Sequence, residues 1–376
     1  MPTRILFLVT EDWYFVSHRL PMARAAREAG FEVHVATRVD RHGTAIEAEG
    51  FHLHPLNWRR GSANPLGFLI AIRHIRNLYR LIAPSLVHHV AMQPSIMGSL
   101  AALGLPMQTL NAVAGLGFAF TSGTIKARLV ATALKVLIRG LFNRPNCTVL
   151  VQNPDDRAAV AALGIAADKI ALIPGSGVDI DHLTPLPEPE GPVTAAFVGR
   201  FLEDKGLRSL LEACNILAAR GRPIRLLLAG EPDPANPASI PQATIEAWKR
   251  QPSVTVLGYV ADIRTVWSAA HIAVLPSRRE GLPKSLLEAA ACGRPLVATD
   301  VPGCREIARE GVNAILVPSD DAPALADAID RLARDPELRR RYGAASRRLV
   351  EAEYSDSRVG RDIVLLYRSL LHVDSR

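Results

Sequence analysis

The residues best suited to chemistry fall in two clusters some eighty positions apart. The later one is Glu280-Gly281-Leu282-Pro283-Lys284-Ser285-Leu286-Leu287-Glu288. It follows the apolar run Ile272-Ala273-Val274-Leu275, which reads as a buried parallel strand ended by Pro276 and Ser277. Pro283 suits a first helical turn, where its missing N–H would have no intrahelical partner, and Gly293 suits the far end. At such a helix N-terminus the free backbone N–H groups, the positive end of the dipole and the Lys284 ammonium converge beside Ser285. That combination favours a phosphate or diphosphate. Glu280 and Glu288 frame the position. As an acid/base pair for glycoside hydrolysis they stand too far apart. Eight residues at about 1.5 Å rise give roughly 12 Å if all helical, against the roughly 5–9.5 Å of such pairs. Two separate jobs fit better: Glu288 could accept hydrogen bonds from ribose hydroxyls, and Glu280 could hold a sugar hydroxyl beside an anomeric carbon. The plain alternative is an ordinary strand–helix unit with surface charges.

The earlier cluster is Thr194-Ala195-Ala196-Phe197-Val198-Gly199-Arg200, a strand ending in Gly-Arg, with Lys205-Gly206 opening the next helix. Both cations would then sit at the carboxyl end of a strand, where open α/β sheets bind ligands. Arginine offers a fork for phosphate oxygens and lysine a point charge. Singly each reads as a solvated surface cation. Combined with the 280–288 helix they outline a cleft for a nucleoside diphosphate.

The pattern Gly199-Arg200…Lys205-Gly206, Gly230, Pro276-Ser277…Glu280-Gly281…Glu288-Ala289…Gly293-Arg294-Pro295 resembles glycosyltransferase family 4. The likeness continues through Val301-Pro302-Gly303-Cys304-Arg305-Glu306 and Gly311-Val312-Asn313, and Glu280 and Glu288 match that family's E-x7-E pair. The resemblance implies a retaining, nucleotide-sugar-dependent hexosyltransferase of the GT-B fold: two Rossmann-like α/β domains facing across a cleft, with the last helix crossing back to the first domain. It implies that Arg200 and Lys205 bind the donor diphosphate, that Glu288 binds ribose and that Glu280 touches the donor sugar. Gly199, Gly230, Ser277, Gly281, Leu282, Pro283, Lys284 and Ser285 complete the expected donor site, and the catalytic set is Glu280, Arg200 and Lys205. UDP is the expected nucleotide. In the first half, Phe15-Val16-Ser17-His18-Arg19-Leu20-Pro21 and Ala114-Gly115-Leu116-Gly117-Phe118 resemble the branch that extends lipid-diphosphate-linked sugars in bacterial surface-polysaccharide assembly.

At 376 residues the chain is long enough for two domains, each with its own core. Hydrophobic content of 48% excludes a disordered chain. Cys147, Cys214, Cys292 and Cys304 show no CxxC spacing and read as buried free thiols of a reducing compartment. Ile5–Val9 is too short for a signal peptide and runs into Glu11-Asp12. No apolar run reaches about 18 residues, so no transmembrane helix is expected.

The net charge is +7 and unevenly placed. No acidic residue lies between Glu49 and Asp155, whereas Arg59, Arg60, Arg73, Arg76, Arg80, Lys126, Arg128, Lys135, Arg139 and Arg144 do. A field of one sign attracts polyanions or an anionic membrane. Nucleic acid is disfavoured, because no aromatics interleave with the charges and no binding motif appears. The segments Phe68–Leu81 and Thr124–Phe142 are instead amphipathic and basic. They are expected to be interfacial helices on anionic lipid, with core-packing helices as the alternative. Localisation is accordingly expected to be cytoplasmic, peripheral on the inner face of the plasma membrane.

Alternating strands and helices organise the rest. Strands are expected at 4–10, 32–36, 51–56, 86–90, 108–112, 148–152 and 170–173, then near 193–198, 224–229, 254–257, 272–275, 296–299 and 315–317. Five prolines between Pro174 and Pro192 mark a linker. The expected domains are 1–184, acceptor-binding, with 357–376 crossing back, and 185–356, donor-binding. On the first domain, a loop Glu11–Phe15 after the first strand would present Trp13. Ser17 would cap the next helix, and Ser17, His18 and Arg19 could hold an acceptor phosphate or sugar, with a plain surface loop as the alternative. Arg59 and Arg60 could clamp a diphosphate after the third strand. His89 and Asn111 are further acceptor candidates, with plain packing as the alternative for His89. The family often has a glycine-rich turn after the first strand and a histidine after the fifth. Here Glu11-Asp12-Trp13 and Asn111 stand there, so the donor-sugar contacts usual at those places do not transfer.

No metal site is expected and no cofactor beyond the nucleotide-sugar. Asp179-Ile180-Asp181 reads as turn and cap carboxylates, Gly115-Leu116-Gly117 lacks a dinucleotide fingerprint's third glycine, and His88-His89 lack a third ligand. A GT-B epimerase, a phosphorylase and a non-catalytic basic membrane-binding protein with a degenerate cleft are the rival readings. Nucleotide titration separates the last from an enzyme.

Overall fold

The structure is a computed structural model; it describes residues 2–58, 65–113 and 125–372, with backbone only for residues 65 and 125–131. Two compact units emerge. The first joins Met1–Ser176 with Asp356–Arg376, and the second is Gly177–Ser355.

The first unit is built on a seven-stranded sheet in the order β3-β2-β1-β4-β5-β6-β7. Its strands are β1 Arg4–Glu11, β2 Glu32–Arg38, β3 His52–Pro55, β4 Leu86–Val90, β5 Gln108–Ala112, β6 Cys147–Val151 and β7 Ile170–Leu172. Every pairing is parallel. β1 reads as a near-continuous apolar run because helices cover both its faces. Ile5, Phe7 and Val9 pack with the helices Leu20–Glu28 and Asp356–Leu371; Leu6 and Leu8 pack with Ile75 and Tyr79 of Pro65–Ile82. The C-terminal helix thus belongs to the first unit, burying Val359, Ile363 and Tyr367 there. Tyr367 Oη lies 2.7 Å from His88 Nδ1, which fastens that helix to β4.

The second unit has a six-stranded parallel sheet in the order β10-β9-β8-β11-β12-β13. Here β8 is Thr194–Val198, β9 Arg225–Ala229, β10 Val254–Gly258, β11 Ile272–Leu275, β12 Leu296–Thr299 and β13 Ala314–Val317. One core fills it, including Phe197, Leu226, Trp267, Val274, Leu287 and Ile329.

The boundary between the units falls at Ser176/Gly177, not at 184/185. Proline content marked a free linker, but the segment is strapped to the second unit. Val178 and Leu183 enter its core. The Leu186 amide donates to Cys292 O at 3.1 Å, Arg294 Nη2 to Pro187 O at 2.8 Å, and Arg347 Nη1 to Leu183 O at 2.6 Å. Pro187 lacks an amide to pair but leaves its carbonyl free, and the buried Arg294 fills that acceptor, while the half-buried Arg347 does the same for Leu183. Asp179 closes a turn, its Oδ1 accepting from the amides of Asp181 and His182.

Candidate functional site

In each sheet the strand order reverses once, between β1 and β4 and between β8 and β11. Open α/β sheets bind ligands outside the carboxyl ends of the strands at such a reversal, because the flanking loops run to opposite faces and leave a crevice. The second unit's reversal is where the expected donor residues gather.

After β8 the chain turns through Gly199 and Arg200 into a short 3-10 turn, Glu203–Lys205, and then into the helix Leu207–Ala219. After β11 it passes Pro276–Pro283 into the helix Lys284–Ala291, with Pro283 at the N-cap and Gly293, φ +72°, just past the end. The two loops are tied together, since the Arg278 amide donates to Asp204 O at 2.8 Å. Their side chains meet as well. Lys205 Nζ lies 2.5 Å from Glu280 Oε1, and Ser277 Oγ donates to the same oxygen at 2.6 Å. Thr299 Oγ1 bonds Ser277 O and braces the turn from β12. The pair is mostly shielded, with Lys205 21% and Glu280 10% exposed in the side chain. Arg200 Nη1 donates to Asp233 Oδ2 at 2.7 Å, which sets its guanidinium beside the loop that follows β9.

Two glycines make this packing possible. Gly206 has φ +70°, and a Cβ there would stand 2.0 Å from Pro276 O. Gly230, φ +142°, would put a Cβ 1.9 Å from Gly199 O. Only a residue without a side chain lets the β8, β9 and β11 loops approach this closely.

Glu288 lies on the inner side of its helix, nearly buried, with Lys284 Nζ at 3.5 Å one turn earlier. Burial raises its carboxyl above the ordinary range, and the Lys284 ammonium pulls the other way. A desolvated carboxylate of this kind is a strong acceptor for hydroxyl groups. Leu282 and Pro283 are buried beneath the loop, whereas Lys284 and Ser285 are partly exposed at the helix start. Sequence reasoning missed Asp233 and Thr299. Asp233 follows the Gly230 loop and pairs with a residue more than thirty positions away, a relation no local pattern carries.

The first unit departs further from expectation. Residues 11–15 form no loop: β1 continues to Glu11, and Asp12–His18 is a helix. The cause is Asp12, fully buried, whose Oδ2 accepts from the amides of Asp40, Arg41 and His42 at 2.7, 3.0 and 2.8 Å. Trp13 is partly exposed, edge-on to Tyr14. Ser17 and His18 do not cap the second helix. They end the first, with Ser17 Oγ 2.5 Å from His18 Nδ1 and the His18 ring stacked 4.3 Å from Tyr14. Arg19 sits at the N-cap of Leu20–Glu28 and is buried. Trp13 and the 17–19 stretch nevertheless all follow β1 at its carboxyl end.

His89 and Asn111 are interior groups, both fully buried. His89 Nδ1 lies 2.7 Å from Asn111 Oδ1 and its Nε2 2.9 Å from Tyr79 Oη, while Asn111 Nδ2 reaches Cys147 Sγ at 3.0 Å. Burial pushes the His89 imidazole down to about 4, so it stays neutral at neutral pH. A neutral ring satisfies both contacts by donating from Nδ1 and accepting at Nε2. Trp58 is buried as well, its Nε1 donating to Thr10 O at 3.2 Å. Arg59, Arg60 and the Ala114–Phe118 stretch lie outside the described residues.

The basic helices keep apolar side chains in solvent. On Pro65–Ile82, Leu66, Leu69, Ile70 and Leu81 are exposed beside Arg73 and Arg80. Arg76 is committed elsewhere, donating to Ala101 O and Leu103 O at 2.7 and 2.6 Å. On Ile125–Phe142, Val136 and Leu137 are exposed near Lys135 and Arg139. Among the described residues no helix is long and apolar enough to cross a membrane.

Comparison with known proteins matches both halves of the chain. The family described as "Glycosyl transferase 4-like" matches residues 4–152, and "Glycosyl transferases group 1" matches residues 192–335. An alpha-D-kanosaminyltransferase of Streptomyces kanamyceticus is 36% identical over 46% of this chain and 45% of its own, so the match spans about half of that relative. The capsular polysaccharide biosynthesis glycosyltransferase CapM of Staphylococcus aureus is 27% identical over 46% of each. A Campylobacter jejuni N,N'-diacetylbacillosaminyl-diphospho-undecaprenol alpha-1,3-N-acetylgalactosaminyltransferase is 25% identical over 89% of this chain and 91% of its own. Among solved structures, sucrose-phosphate synthase from Thermosynechococcus elongatus superposes with a TM-score of 0.82 at 22% identity over 99% and 100% of the two chains. The Anabaena protein HepE, in complex with UDP and glucose, does so with 0.78 at 17% over 98% and 100%.

Proposed function

Given that the chain belongs to glycosyltransferase family 4 and has the GT-B fold, we propose that it moves a hexose or N-acetylhexosamine from a UDP-sugar to a lipid-diphosphate-linked saccharide in bacterial polysaccharide assembly, with retention at the anomeric carbon. The observation that carries the reading is the Lys205–Glu280 pair. Two groups 75 positions apart meet at 2.5 Å where the β8/β11 order reverses, with Arg200 on the same loop. In the proposed reaction Arg200, Lys205 and the start of the Lys284–Ala291 helix hold the donor diphosphate. They neutralise the charge that grows on its oxygen as the bond to the anomeric carbon breaks. Donor binding parts the resting ion pair: the ammonium turns to phosphate and the carboxylate to a sugar hydroxyl. Glu288 takes the ribose hydroxyls. The acceptor hydroxyl attacks from the leaving group's side. Its oxygen bonds the anomeric carbon, and its proton passes to the departing phosphate oxygen. This scheme requires no metal and no cofactor besides the co-substrate.

UDP in the Anabaena complex supports the donor class, and the Campylobacter relative's lipid-diphosphate-linked substrate supports the acceptor class. The acceptor end is assigned to the carboxyl side of β1, around Trp13, Ser17, His18 and Arg19. The exposed apolar and basic face of Pro65–Ile82 supports a peripheral position on the cytoplasmic leaflet, where a lipid-linked acceptor is found.

A thermal-shift series with UDP, GDP, ADP and their sugars tests the donor reading. UDP at about a hundred times its Kd should stabilise by about 2.7 kcal/mol, a shift of several degrees, with little response to the others. No shift from any nucleotide would overturn the reading. The membrane part is separable. Replacing Arg73 and Arg80 together by Gln should weaken binding to phosphatidylglycerol vesicles at least tenfold, since each cation near such a surface contributes about 1 kcal/mol. Unchanged co-sedimentation would remove the membrane claim and leave the donor site standing.

A further inference from the structure

At the amino ends of β2 and β3 a second group of chemically capable side chains gathers. Glu32 and His34 alternate on one face of β2, and His52 and His54 lie beside them on β3. The parallel register pairs His34 with His52 and Ala36 with His54. Glu32 Oε1 lies 2.9 Å from His34 Nε2 and 3.9 Å from His52 Nε2, and one donor atom from each of the three falls within 4.8 Å of the others. The His34 and His52 rings are stacked with centroids 4.7 Å apart. Two ligands each about 2.0–2.1 Å from a tetrahedral ion stand about 3.3 Å from one another, so small side-chain rotations close the set.

We propose that Glu32, His34 and His52 bind a zinc ion, with water in the fourth position. Two imidazoles and one carboxylate form a donor set characteristic of zinc. The surroundings fit as well. His34 is buried, and its Nδ1 lies 2.9 Å from His54 Nε2. With zinc on Nε2, the remaining ring proton sits on Nδ1 and is donated to His54, the kind of outer partner that fixes a metal-bound imidazole. The carboxylate is also held by Arg4, on the same oxygen. Arg4 Nε stands 3.2 Å from Glu32 Oε1, and Arg4 Nη1 donates to Ile82 O at 2.9 Å. That guanidinium lowers the affinity through its charge while fixing the ligand's direction. His52 is more than half exposed and leaves an entry path for the ion.

β3 is a four-residue edge strand, and the ion bridges it to β2. Its role is to fasten that edge rather than to take part in transfer, and the inference stands apart from the donor reading.

The test is a zinc titration of the tag-free, chelator-stripped full chain, by calorimetry against a competing chelator. One equivalent should bind and raise the Tm. His52→Ala, at an exposed position that leaves the core untouched, should lose more affinity than the roughly 10–100-fold typical of removing an outer partner, and His54→Gln should fall within that range. Cobalt should give absorption of tetrahedral intensity in the parent and lose it in His52→Ala. Failure of the parent to take up zinc, or uptake that His52→Ala leaves unchanged, would overturn the proposal.

Discussion

Glu280→Gln is expected to give a folded protein that still binds nucleotide but transfers sugar about a hundred- to a thousandfold more slowly, the usual effect of removing one preorganised charge from a transition state. Glutamine fills the same volume and can still accept from Ser277 Oγ, now at 2.6 Å. What disappears is the negative charge at the sugar and the partner that aligns Lys205 before the donor arrives. Lys205→Ala should cost kcat about as much, for the complementary reason that the diphosphate loses a charge counterpart. Combined, the two should cost far less than the product of the single effects, because each already disables the same unit. Turnover is measured with the donor identified by thermal shift, and circular dichroism confirms the fold. Near-parental turnover in either variant would end the site assignment.

Gly230→Ala carries the second large effect, through the backbone. The added Cβ would meet the Gly199 carbonyl at 1.9 Å, at φ +142° where a side chain is already strained. Neither neighbour can yield easily. The Gly199 amide bonds Ala229 O at 3.0 Å, and the Gly230 amide bonds Gly258 O at 2.8 Å. The expected loss is about 3 kcal/mol or more, from strain plus overlap. The β8 and β9 loops should also separate, abolishing the nucleotide-induced shift. Gly221→Ala serves as the control: it too has positive φ, +72°, but nothing within 4 Å of the new Cβ, so it should lose only about 1–2 kcal/mol and keep the shift. Urea midpoints and thermal shifts for both variants decide the matter, and equal behaviour would refute the close-approach account.

The central strands were legible because they are parallel and covered on both faces, so β1, β8, β11 and β12 read as mostly apolar runs. β4, β5, β11 and β12 fall where the runs of 86–90, 108–112, 272–275 and 296–299 put them. The loops that carry Arg200, Lys205 and Glu280 were legible too, since glycines and prolines punctuate them. Side-chain partnership was not. Asp12 looks like a loop carboxylate until the three amides it accepts from are known, and those lie about thirty residues on. His89 and Asn111 looked available because polarity at a strand end suggests a ligand. Both side chains are fully buried, and their hydrogen bonds run sideways, to Tyr79 and Cys147. The proline-rich segment misled for a similar reason: composition reports what a segment cannot pair with itself, not which arginines will claim its carbonyls.

That strap has a consequence for how such a chain can be rebuilt. The second unit is one uninterrupted insert, and it begins and ends side by side: the Val178 amide donates to Tyr354 O at 2.9 Å, and Val178 bridges Ser355. A recombination that exchanges the second unit therefore needs two junctions, at 176/177 and 355/356, and must carry residues 177–192 with the cassette. Cutting at 193 would strand Arg294, Arg339 and Arg347 without Pro187, Glu188 and Leu183. A first unit made by simple truncation would lose Asp356–Leu371 and lay open the face that Tyr367 seals, so the piece to exchange is the stretch 177–355 as a whole.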